Sequence, residues 1–99
     1  MSRYDVYANP SGCGYLLDVQ ADILQPINTR AVVPLVPLRE APKPAKTLNP
    51  VFDIHDELHA MVTQYIAAVP VSELQNPVCS LRQRHDDIVG AIDFLFHGF

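Results

Sequence analysis

The sequence contains few positive charges. Its seven lysines and arginines are scattered along 99 residues, and eleven aspartates and glutamates outnumber them, which gives a formal net charge of -4. Neutralising the phosphates of duplex DNA requires clustered Lys and Arg. The sequence therefore predicts that this chain alone does not bind nucleic acid directly.

Long hydrophobic runs and cysteine pairs are also lacking. No segment approaches the roughly 20 apolar residues of a membrane span, and MSRYDVYANP has no apolar run of signal-peptide length. We expect a cytoplasmic protein with no membrane partner. Cys13 and Cys79 match no metal spacing, and two reduced thiols are favoured over a disulfide. The sequence predicts no cofactor, and its length and 48% hydrophobic content fit one domain, 1–99.

Up to residue 75 the chain consists of short segments with β-strand character, separated by residues that favour turns. Apolar side chains alternate in residues 3–8, NPSGCG at 9–14 is a dense turn signal, and 14–20 supplies the returning strand of a hairpin. The other strand candidates are 30–38, 51–55, 59–65 and 67–74. Six short strands within 3–75 predict a small barrel or sandwich.

Prolines lie in the strand candidate 30–38 and in residues 21–29 before it. Pro34 and Pro37 remove two ladder donors from the third strand candidate, which predicts an edge strand or a bulged strand. Pro26 lies in residues 21–29, which are interpreted as a loop that carries the apolar residues Ile23 and Leu24.

From residue 80 the spacing of the apolar residues becomes that of a helix. One face carries His85 together with Leu81, Ile88, Val89, Ile92, Leu95 and Phe96. Ser80 and Gln83 form a candidate capping box, and Asn76-Pro77 offers a start one turn earlier. The predicted helix covers about 80–97, with Leu95 and Phe96 closing its buried face.

Two glycines belong to this helix. Gly90 lies in its interior, where glycine costs about 1 kcal/mol relative to alanine, and therefore predicts a close contact between helix and sheet. Gly98 stands where a left-handed residue ends a helix. His97, Gly98 and Phe99 then lie beyond the buried face.

Two patterns suggest chemistry. His55 and His59 are four residues apart, as in a zinc-binding HExxH helix, but the acid is displaced to Glu57 and the flanks resemble strands, which favours a turn. Arg82, Arg84 and His85 suggest phosphodiester cleavage, but three residues within one helical turn diverge around the axis. A ribonuclease stays an alternative, and an interaction protein is favoured over an enzyme.

Several stretches together resemble the CcdB family of toxins from type II toxin–antitoxin modules. They occur in the family's order and spacing and cover nearly the whole chain: YDVY (4–7), LDVQADIL (17–24), RAVVPL (30–35), PVFDIHDE (50–57), AVPVS (68–72) and 86–99. The resemblance implies a mainly β fold with a C-terminal α-helix, an SH3-like β-barrel of the CcdB/MazF toxin type. It also implies a homodimer that is not an enzyme.

The resemblance also implies partners. Toxins of this family bind the A subunit of DNA gyrase, trapping the gyrase–DNA cleavage complex, and a cognate CcdA-like antitoxin neutralises them. The residues that match the family's gyrase contact are His97, Gly98, Phe99, Asp93, Ile23 and Leu24.

The match leaves alternatives open, because the family's terminal Trp-Gly-Ile is His97-Gly98-Phe99 here and the chain has no tryptophan. One alternative is a CcdB-fold protein with weak or lost gyrase poisoning that mainly binds antitoxin. Another is a MazF-like endoribonuclease, because a related toxin family with a similar barrel cuts mRNA.

Overall fold

Strands of the described chain, residues 2–98, join one curled antiparallel sheet in this computed structural model. The sheet order is β4-β5-β3-β2-β1-β7, with β6 also paired to β3. The strands are β1 (Asp5–Ala8), β2 (Tyr15–Asp18), β3 (Thr29–Pro37), β4 (Val51–Ile54), β5 (Glu57–Met61), β6 (Ala67–Pro70) and β7 (Cys79–Ser80). One α-helix, α1 (His85–His97), follows them. The predicted fold class, mainly β with a C-terminal helix, is confirmed.

Single 3₁₀ turns fill several connections. They are Asp22–Leu24, Thr63–Tyr65, Val71–Glu73 and Arg82–Arg84. The predicted strand segments 59–65 and 67–74 each divide into a strand followed by such a turn.

The third strand, β3, is central and not at an edge. It pairs with β2 along one side, and its other side pairs first with β6 (Thr29 to Val32) and then with β5 (Leu35 to Pro37). Pro34 lies at the change of partner, where its carbonyl accepts a hydrogen bond from Val62 N–H at 3.0 Å. The edge prediction was wrong, because the missing donor falls where one ladder ends and the other begins.

The two faces of the sheet carry separate apolar clusters. The larger cluster packs α1 onto one face through Ile88 and Ala91, against residues that include Val6, Leu17, Val33, Leu35 and Phe52. The smaller cluster, on the other face, consists of Tyr7, Leu16, Val32 and Leu74. Neighbours such as Val6 and Tyr7 enter different clusters because successive strand side chains point to opposite faces.

Helix α1 begins later than predicted. Ser80 lies in β7 and pairs with Asp5 of β1, and Asn76 lies in the loop before β7 with φ 54°. Neither residue therefore starts the helix. The Ser80 hydroxyl accepts a hydrogen bond from Arg82 N–H at 3.2 Å, and the residue before α1, Arg84, makes no side-chain cap. Ser80, which the capping pattern predicted at the start of the helix, therefore belongs to a strand that pairs with β1.

The last turn of α1 differs in part from its prediction. Leu95 is half-buried, but Phe96 is 63% exposed, so the prediction that both close the buried face was wrong for Phe96. Gly98 ends the helix in the left-handed conformation (φ 78°), and its N–H donates to Phe94 O at 2.9 Å. This C-cap was predicted.

Gly90 has no close neighbour. A Cβ built on it meets no heavy atom within 4 Å outside its own helix backbone. The predicted close contact between helix and sheet at this position was therefore wrong.

The two histidines of the candidate metal motif lie in a hairpin. His55 and Asp56 connect β4 to β5 with φ values of 51° and 65°, the left-handed pair of a tight hairpin turn. His59 lies in β5 and is buried, where its Nδ1 is 2.9 Å from Glu57 O and its ring meets the Tyr15 ring edge-on. Burial lowers the pKa of His59, and Arg39 lowers it further. The turn predicted for this motif is confirmed.

Candidate partner-binding surface

Loop 21–28, between β2 and β3, presents apolar side chains to solvent. Ile23 is 86% exposed, and Leu24 and Ile27 are 47% exposed each. Backbone hydrogen bonds give the loop its shape: Leu24 N–H donates to Ala21 O at 3.0 Å, and Ile27 N–H to Leu24 O at 3.2 Å. Ile23 and Leu24 therefore lie together in one exposed turn, as expected of a contact surface.

A buried amide connects this loop to the sheet. The Gln20 side-chain nitrogen Nε2 donates to Leu24 O at 3.3 Å and to Thr29 O at 3.0 Å. Its Oε1 accepts a hydrogen bond from Ala31 N–H at 3.0 Å. One side chain thus links the exposed turn to the first residues of β3.

Beneath this amide lies a fully buried ion pair. Asp18 Oδ2 accepts hydrogen bonds from Arg30, at 2.8 Å from Nε and 2.7 Å from Nη2. Asp18 Oδ1 accepts a third from Gln20 N–H at 3.0 Å. Burial raises the pKa of Asp18, while the hydrogen bonds from Arg30 and Gln20 oppose that rise. Breaking one partner of such a pair is strongly destabilising, because it leaves a buried charge without compensation.

The loop is also linked to the beginning of α1. Arg3 N–H donates to Asp22 Oδ1 at 2.8 Å, and the Arg3 guanidinium lies 4.8 Å from the centre of the Tyr4 ring. The Tyr4 hydroxyl in turn lies 2.5 Å from His85 Nδ1, in the first turn of α1. The N-terminal segment thus connects the loop and the helix.

The C-terminal candidates lie on the last turns of α1. Asp93 and His97 are exposed and, four residues apart in a helix, share one side of it. Phe94 and Phe96 are 38% and 63% exposed, and Gly98 is exposed as the left-handed cap. Phe99 lies outside the described residues. Five of the six predicted contact residues are therefore described, and all five face solvent.

The residues of the ribonuclease alternative have different partners. Arg84 holds Asp87 Oδ2 with Nε and Nη2, both at 2.9 Å, and stacks on Phe52 with its guanidinium 4.6 Å from the ring centre. His85 contacts Tyr4 instead. Arg84 and His85 thus point in different directions, as predicted, although Arg84 lies in the 3₁₀ turn before α1 and not in the helix.

Residues 2–98 contain no cluster of His, Cys, Asp or Glu that is arranged to hold a metal ion. In the same part of the chain, no helix is both long and apolar enough to span a bilayer. Cys13 and Cys79 are free cysteines.

Sequence reasoning missed the polar network of Asp18, Gln20 and Arg30. The available signal was the alternation of Asp18 and Gln20, which occupy every second position of one strand and its extension, on the face that also carries the apolar Leu16. Arg30 is the residue of β3 that carries the opposite charge. Such a pattern indicates a polar patch on an otherwise buried face of a sheet.

The mainly β fold agrees with a comparison of the sequence with known protein families. The sequence model of a protein family described as CcdB protein matches residues 3–98, which is all of the chain except Met1, Ser2 and Phe99. Members of this family are toxins of toxin–antitoxin modules. A match over this length shows that the chain belongs to the CcdB family.

Proposed function

We propose that this protein is the toxin of a type II toxin–antitoxin module, which binds the A subunit of DNA gyrase, trapping the gyrase–DNA cleavage complex. It acts by binding rather than by catalysis. The proposed gyrase-binding residues are Ile23, Leu24, Asp93, His97, Gly98 and Phe99. The protein works as a homodimer in the cytoplasm, where a cognate CcdA-like antitoxin neutralises it.

The observation that carries this proposal is the 86% exposure of Ile23, next to Leu24, in a chain of the CcdB family. A folded protein gains nothing for its own stability from an isoleucine in water, and exposed apolar patches mark interaction sites. Apolar anchors of this kind supply much of the affinity of protein interfaces.

His97 sets the strength of the proposed contact. Toxins of this family typically have tryptophan there, whose large ring stacks on arginine guanidinium groups of gyrase. An imidazole offers less area and weaker cation–π attraction. Loss of a buried aromatic anchor can cost about 2 kcal/mol, which is more than a tenfold change in affinity.

A gyrase cleavage assay tests the proposal. Purified toxin should increase the amount of linear DNA that is trapped by gyrase, and His97→Trp should increase it further. Ile23→Asp is the matched loss variant, because it changes an exposed side chain and should leave folding unaffected. If an excess of toxin leaves both cleavage and supercoiling unchanged, the gyrase proposal is lost.

One further outcome of this assay and one separate experiment decide between the alternatives. A wild-type chain without effect, together with a poisoning His97→Trp variant, would identify a CcdB-fold protein with lost poisoning that mainly binds antitoxin. Incubation of the wild type with RNA tests for a MazF-like endoribonuclease, and we expect no cleavage.

A further inference from the structure

Burial alone does not explain what fixes the conformation of the exposed turn in loop 21–28. Ile23 points into solvent, and Leu24 and Ile27 each keep 47% of their surface exposed, so burial of these side chains fixes the turn only in part. Hydrogen bonds must therefore supply much of what fixes it.

The Gln20 side chain makes hydrogen bonds both to the middle of this loop and to the strand that follows it. Its Nε2 holds Leu24 O within the turn and Thr29 O at the first residue of β3, and its Oε1 holds Ala31 N–H. Leu24 O also accepts the backbone N–H of Ile27. The Gln20 side chain therefore holds the turn against β3, and Leu24 O accepts hydrogen bonds both from Gln20 and from the backbone of the turn.

Gln20 is itself held in place. It is 9% exposed, its N–H donates to Asp18 Oδ1, and its carbonyl accepts from Arg30 Nη2 at 3.4 Å. The buried Asp18–Arg30 pair thus orients the backbone of Gln20, and the Gln20 side chain orients the turn. A rigid part of the sheet is connected in this way to the exposed Ile23.

We propose that Gln20 is a positioning residue, which holds Ile23 and Leu24 in the conformation that binds gyrase. This inference rests on the proposed function of the loop. A loop that already has its bound conformation pays no ordering cost when the partner arrives. If only a tenth of the molecules hold the competent conformation, the apparent affinity falls tenfold.

The test compares Gln20→Met, Gln20→Glu and Gln64→Met with the wild type. Methionine preserves the length of the side chain and removes every side-chain hydrogen bond, whereas glutamate keeps an acceptor for Ala31 N–H and loses both N–H donors of the amide. Gln64→Met is the matched control, because Gln64 accepts one hydrogen bond, from Asn49 Nδ2 at 2.9 Å, at the 3₁₀ turn after β5. If Gln20→Met fails to fold, the same measurements can be made on Gln20→Glu.

Two readouts are needed. The first is amide hydrogen exchange, which should become at least tenfold faster at Leu24 and Ile27 in both Gln20 variants and stay unchanged in Gln64→Met. The second is affinity for the purified A subunit of gyrase, which should fall about tenfold in the same variants. Exchange of β3 amides such as Val33 should not change, which separates loop release from general destabilisation.

The readouts distinguish this inference from the proposed function. If wild-type protein fails to bind gyrase, the proposed function fails, and faster exchange would still show that Gln20 orders the turn. Unchanged exchange at Leu24 and Ile27 in a folded Gln20 variant would overturn the positioning role whatever gyrase does. Faster exchange with unchanged affinity would also overturn it, because the turn would then not need to be ordered for binding.

Discussion

Replacing Gly90 by alanine should stabilise the protein. Gly90 is an interior residue of α1, a 13-residue helix. A Cβ at this position meets nothing within 4 Å, so the new methyl group neither clashes nor fills a gap. The expected gain is therefore the difference in helix propensity, about 0.8–1.0 kcal/mol, part of which is conformational entropy removed from the unfolded chain.

Urea unfolding of the two proteins at one fixed concentration measures this gain, since an oligomer's apparent stability depends on concentration. The midpoint should rise with an unchanged slope, and the melting temperature should rise by roughly 4–8 °C. Gly14→Ala is the matched control with the opposite sign. Its Cβ would clash with the backbone oxygen of Leu35, and Gly14 has φ 87°. Unchanged or reduced stability of Gly90→Ala would refute the conclusion that the helix surface is open there.

Three further predictions concern the buried pair, a buried histidine and the exposed loop. Arg30→Met should cost about 3–5 kcal/mol in urea unfolding, because Asp18 remains buried, and Asp18→Leu combined with it should recover much of that loss. The pKa of His59 is lowered in the folded protein from 6.5, so the unfolded chain binds more protons below that pH. The contribution of His59 to stability should therefore be full above about pH 6.5 and fall as the pH drops below it. Urea midpoints measured between about pH 7 and 5 should fall less in His59→Gln than in the wild type, and an equal fall in the two proteins would contradict this reasoning. Ile23→Asp should change the melting temperature by no more than roughly 2–4 °C, which corresponds to about 0.5 kcal/mol, and a larger loss would show that Ile23 is buried in the free protein.

The predicted elements depended on local signals, and the errors arose where distant residues decide the structure. The hairpin of β1 and β2 follows from alternation and a glycine-rich turn, and both are visible in the sequence. Nothing local shows that β3 exchanges one partner for another at Pro34. Ser80 likewise has the pattern of a helix cap, but its backbone pairs with Asp5, which lies 75 positions earlier in the sequence.

The candidate site shows the same division. Resemblance to the CcdB family selected Ile23 and Leu24, and the structure shows that both face solvent. Phe96 was assigned to the core by its spacing, but the last turn of α1 extends past the sheet's apolar cluster, so spacing alone does not bury it. The hydrogen bonds of Gln20 could not be predicted, because they depend on where three backbone groups meet in space.

The position of β3 has a consequence for dividing the protein. A cut within residues 40–48 would separate β1, β2 and β3 from the other four strands and α1. Each of the two pieces would lack pairing partners, because β5 and β6 both pair with β3, and β7 pairs with β1. The pieces should be inert apart and regain the fold when mixed, so that toxicity in a cell could be made to require the expression of two separate genes.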